Sequence, residues 1–79
     1  MQKVTNTVLL EEVISKSGYK RSYIAQKIGI SAYTLAQKIN NKLEFWASEI
    51  DIICELLGIN IADRMAIFFA KQVDYKSTN

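Results

Sequence analysis

The sequence predicts an all-α fold of five short helices. Three observations carry that prediction. Apolar residues recur at spacings of three and four in successive segments, which is the helical period. The 79 residues include no Pro, so no segment is barred from helix. The chain also breaks where its three Gly fall, at Gly18, Gly29 and Gly58. The length predicts one domain over residues 1–79, and 49% hydrophobic content is too apolar for disorder.

The first helix is expected over Thr7 to Ser17. Leu10, Val13, Ile14 and Ser17 share a face, Thr7 is placed to cap the start, and Glu11 and Glu12 lie toward the positive end of the dipole. The second runs from Arg21 to Ile28 with Ile24, Ala25 and Ile28 inward. Its start is poorly capped, because Lys20 has no side-chain acceptor. Ser31 is a good cap for a third helix, Ala32 to about Asn40. The fourth spans roughly Ala47 to Leu57, striped by Ile50, Ile53, Cys54 and Leu57. Asn60 opens a fifth that reaches about Ala66. Residues 67–73 read equally as a helical extension or as a strand-like arm.

Composition excludes several functions. There is no His and one Cys, so the chain forms no internal disulfide and no Cys/His zinc site, and it lacks the usual general acid–base residue. We expect no enzyme activity and no cofactor. Apolar runs fall far short of the roughly 18 residues that span a bilayer, and the N-terminus has no signal-peptide hydrophobic region. A cytoplasmic setting without a membrane or small-molecule partner is the expectation. Cys54, on the apolar stripe of the fourth helix, reads as a small core residue.

The net charge of +2 conceals an asymmetry. Residues 13–42 hold Lys16, Lys20, Arg21, Lys27, Lys38 and Lys42 and no carboxylate, whereas residues 43–79 carry a net −3. A basic field of this kind suits a polyanion. A solvated basic face is the competing reading, and the motif inside the stretch shifts the balance between them.

That motif is Arg21 to Asn40, RSYIAQKIGISAYTLAQKIN. Ala25, Gly29 and Leu35 stand in the order A-x3-G-x5-L. The first is small where a second helix crosses, the second turns with positive φ, and the third plugs the second helix onto the core. These are the demands of a helix-turn-helix. The sequence resembles the Cro/CI-type helix-turn-helix regulators of phages and bacteria, the XRE group. Ser17-Gly18-Tyr19, Gly29-Ile30-Ser31, Leu35-x-x-Lys38-Ile39-Asn40-Asn41-Lys42, Glu44-Phe45, Ser48-Glu49-Ile50 and Leu56-Leu57-Gly58 all fit, and Ile67-Phe68-Phe69-Ala70 is similar to the tail of short prophage-encoded members from Gram-positive hosts. The resemblance covers about residues 8–73 and implies a five-helix, lambda-repressor-like domain. Lys20 and Arg21 depart from the family's Thr/Ser-Gln start of the second helix. Trp46 replaces the Thr of a Thr-x-x-Glu capping box, which leaves Glu49 without its partner and Ser48 as the substitute cap.

At about 100° per residue, the third helix turns Leu35 and Ile39 to the core. Ala32 lies near the core side, and Tyr33 and Gln37 lie opposite, flanked by Thr34, Ala36 and Asn40. Ala32, Tyr33, Thr34, Ala36 and Gln37 are the expected base-reading residues. Gln37 pairs with adenine N6 and N7, Thr34 offers a hydroxyl or a methyl, Ala36 permits close approach, and Tyr33 meets a thymine methyl or a phosphate. The competing reading has Tyr33 packed on a neighbour and Gln37 as ordinary surface. Phosphate contacts are expected from Arg21, Ser22, Gln26, Lys38, Asn40, Asn41 and Lys42. Trp46 reads either as a backbone or partner contact or as packing against Phe45.

One recognition helix reads few base pairs, so a two-fold dimer on a palindromic DNA operator is expected. Ile67, Phe68, Phe69 and Val73 are its expected contact, as an arm over residues 67–79. In the alternative, Phe68 and Phe69 both close the bottom of the core. The length favours a Cro-like repressor that occludes a promoter in a bacterial host, associated with the nucleoid when bound; activation fits the same residues. An antitoxin that works mainly through a protein partner is the nearest rival. A protein-interaction module that has lost DNA binding is the other, and the acid-free stretch weighs against it.

Overall fold

A computed structural model describes residues 3–71. Five helices form: α1 Thr7–Ser17, α2 Arg21–Ile28, α3 Ala32–Ile39, α4 Ala47–Leu57 and α5 Ile61–Phe68. Two short strands, β1 Lys3–Val4 and β2 Ala70–Lys71, flank them and pair antiparallel, with Val4 opposite Ala70.

Local chemistry accounts for the helix ends. Asn6, not Thr7, caps α1 by accepting the Leu9 N–H at 3.1 Å. The Thr7 hydroxyl instead donates to the Ile39 carbonyl at 2.5 Å, tying α1 to the end of α3. Neither Glu11 nor Glu12 falls in the first turn; Glu11 pairs with Arg21 across the α1–α2 junction at 2.9 Å. Lys20 leaves α2 without a side-chain cap, while Ser31 and Asn60 cap α3 and α5 as their sequence positions predict. Gly29 ends α2 at φ 92°, and its N–H and that of Ile30 both reach back to the Ala25 carbonyl. That left-handed step is open to Gly at little cost and lets α3 leave at a sharp angle.

The core draws on every helix: Leu10 and Ile14, Ile24 and Ala25, Leu35 and Ile39, Ile50, Ile53 and Cys54, Ile67 and Phe68. Helix α2 packs on α3 and α4, and α1 packs on α3, α4 and α5. Burial pushes the Cys54 thiol up from its ordinary pKa; Arg64 opposes the shift and Asp51 adds to it.

The segment after Ala66 resolves into both alternatives. Helix α5 runs two residues further than expected, to Phe68, and the chain then becomes strand β2. This corrects the expected dimer contact. Ile67 is fully buried and Phe68 is 5% exposed, with Phe68 edge-on to Phe45 at 5.3 Å between centroids. Adjacent residues on a helix both face inward when the apolar stripe is wider than about 100°. Phe69 is half-buried and packs against the same core. Val73 lies outside the described residues. Among the described residues, no helix is long and apolar enough to cross a membrane.

Candidate nucleic-acid interface

The three positions that define the turn behave as their spacing requires. Ala25 and Leu35 are each 1% exposed, and Gly29 carries the positive φ between them. With Leu35 and Ile39 held in the core, α3 presents its other side to solvent. Tyr33 is 74% exposed there. Ala32 is exposed, and Thr34, Ala36 and Gln37 are half-buried. The Thr34 hydroxyl accepts from the Ser31 hydroxyl at 2.9 Å, so its acceptor side serves the helix cap. The Gln37 backbone carbonyl is occupied by the N–H groups of Lys42 and Leu43, but its side-chain amide has no partner among the described residues. A free carboxamide carries the donor and acceptor that read adenine in the major groove. Tyr33 and Gln37 thus mark the outward side of α3, flanked by Thr34 and Ala36, while Ala32 is exposed in the first turn near the core side of the helix.

The expected phosphate residues divide. Ser22, Gln26 and Lys42 are exposed. Arg21 is also exposed, and its partner Glu11 is open to solvent as well, so the pair holds it only weakly. Asn40 is exposed, with its amide N–H donating to the Ala36 carbonyl at 3.0 Å. Two residues leave the set. Asn41 adopts a left-handed φ of 64°, and its carboxamide both accepts from the Thr5 N–H and donates to the Thr5 carbonyl, each at 2.9 Å. That side chain ties Thr5, just after β1, to the loop beyond α3 and is not free for a phosphate. Lys38 is 5% exposed, with its ammonium 2.6 Å from Glu49 Oε1. It lies three residues from Leu35 and next to Ile39, on the core side of the helix, so its charge points away from any duplex laid on Tyr33 and Gln37.

Glu49 is therefore not left without a partner. Besides Lys38 it accepts the Trp46 N–H at 2.8 Å, closing the return half of a capping box although the Trp46 side chain offers no acceptor. Trp46, not Ser48, is the cap residue of α4. Its ring does not pack on Phe45; it is 68% exposed, with Lys38 Nζ 5.0 Å from its centroid. Trp46 and Leu43 rim an open groove of about 790 Å3 that reaches Thr34 and the turn residues Ile28 and Ile30. The Lys38–Glu49 pair was missed in sequence, although its signal was present: Lys38 falls beside Leu35 and Ile39 on the helical wheel, and Glu49 falls beside Ile50.

A family model described as the Cro/C1-type HTH DNA-binding domain matches residues 10–67. No curated protein matches the chain significantly, and neither does any solved structure. The match starts inside α1 and ends inside α5, enclosing the whole unit that holds and orients the outward side of α3. By its sequence and by the helices that sequence forms, the chain belongs to the Cro/C1-type helix-turn-helix DNA-binding domain family.

Proposed function

We propose that the chain is a sequence-specific regulator of transcription, acting in the cytoplasm, whose recognition helix is α3. The observation that carries this reading is the outward side of α3: an exposed Tyr33 and a Gln37 amide without a protein partner, set within a stretch of six cations and no carboxylate. Ala32, Tyr33, Thr34, Ala36 and Gln37 read bases. Arg21, Ser22, Gln26, Asn40 and Lys42 hold the phosphates, with Glu11 yielding Arg21 to the duplex.

Two copies bind a palindromic operator, because a single recognition helix covers only one half-site. With Ile67 and Phe68 in the core, one apolar surface open to a second copy is the outer side of α5. There Ile61 is 79% exposed and Met65, one turn on, is 54% exposed. Occupancy of the operator denies a promoter to polymerase.

The test is duplex selection followed by a salt titration on the selected site. With Arg21 and Lys42 each neutralising a phosphate in every subunit, log affinity falls against log salt at about −0.9 for each such contact. Sedimentation of wild type and Ile61→Asp/Met65→Asp on the same duplex reads the stoichiometry. Binding that is indifferent to salt would defeat the DNA reading, and an unchanged two-to-one complex in the variant would move the dimer contact elsewhere.

A further inference from the structure

Of the three ion pairs among the described residues, Lys38–Glu49 is the one taken out of water, with both side chains more than nine-tenths buried. Burying two opposite charges costs about as much desolvation as their attraction returns, so an apolar pair of similar volume would serve stability equally well. What an apolar pair lacks is direction. Here one carboxylate oxygen, Glu49 Oε1, receives Lys38 Nζ from the last turn of α3 at 2.6 Å and the Trp46 N–H that opens α4 at 2.8 Å. The ammonium also sits 5.0 Å from the Trp46 ring centroid. A single acceptor therefore gathers both ends of the loop that joins α3 to α4. On one side of Lys38 in the chain is Gln37, the base reader with the free amide. On the other, within the loop, is Lys42, the exposed cation.

We infer that Lys38 and Glu49 are positioning residues for DNA recognition. The pair fixes the roll of α3, so that Gln37 meets its bases in register, and neither charge touches the duplex. The inference rests on the DNA-binding reading proposed above.

The double variant Lys38→Met/Glu49→Gln tests it. Both charges go, while the introduced amide oxygen still accepts the Trp46 N–H and keeps α4 capped. Wild type and variant are compared at equal folded fraction, set by circular dichroism, on a duplex selected with wild type. Affinity should fall about tenfold. Preference at the bases read by Gln37 should relax, and the salt slope should stay as in wild type because no phosphate contact is lost. Unchanged affinity and preference overturn the inference. A slope shallower by about one phosphate also overturns it, because Lys38 would then be reaching the DNA. A wild type that binds no duplex removes the DNA reading and the inference together, which is a different result from a wild type that binds and a variant that matches it. Should the double variant fail to fold, Glu49→Gln alone is read by the same three measurements.

Discussion

Lys38 and Lys42 carry the same charge four residues apart, one inside the last turn of α3 and the other just past its end. The first is buried against Glu49, under the edge of the core. The second is exposed, on a loop whose backbone folds back so that its N–H bonds the Gln37 carbonyl at 2.8 Å. The helix itself makes the difference. A residue three places after Leu35 is carried back toward the core side, and a residue beyond the helix is released from that rotation. The contrast teaches that the basic stretch holds two kinds of cation: five stand exposed to solvent, and one is buried in internal geometry. Counting charges along the sequence merges the two.

The contrast is broken most severely at the acid. Glu49→Ala strips Lys38 of its counter-charge and the Trp46 N–H of its acceptor. Removing one partner of a buried pair costs about 3–5 kcal/mol, so urea unfolding should show a loss on that scale. A loss below about 1 kcal/mol, the range of a surface pair, would mean that Lys38 escapes to water. The next largest effect is on recognition. Gln37→Ala should cost about 1–3 kcal/mol on the best duplex and relax preference at one or two positions of each half-site, read by competition with single-base variants. The smallest sharpens the other side of the comparison. Lys42→Ala should leave stability within about 0.5 kcal/mol, weaken all duplexes by a similar factor and flatten the salt slope by about 0.9. If the Gln37 and Lys42 variants behave alike, the division between reading and holding is misdrawn.

What was legible in the sequence was local. Ala25, Gly29 and Leu35 declare the turn because their roles are set within ten residues of chain, and Ser31 and Asn60 declare helix starts because a cap bonds an N–H three residues on. The outward side of α3 followed from the same short-range periodicity. The caps of α1 and α4 were misread by one or two residues, and the rest of what was not legible depended on distant partners. Asn41 meets Thr5 across 36 residues, and the strand pair joins Val4 to Ala70 from opposite ends of the chain; two-residue strands leave no periodic trace in a sequence. The placement of Ile67 and Phe68 failed for a related reason. Adjacent aromatic and aliphatic residues look surplus until Phe45, from a loop, supplies the surface against which Phe68 packs.

The antiparallel pairing of β1 with β2 has a topological consequence. Because Lys3 stands opposite Lys71, the described fold begins and ends at one place, and the backbone there is nearly a closed ring. A short bridge of small residues across that seam would make a circular permutant possible, with fresh termini opened at an exposed turn such as the one at Gly58. Such a rearrangement would leave α2, α3 and the Lys38–Glu49 pair covalently contiguous. The order in which the helices are threaded would change, while the surface offered to DNA would stay as it is.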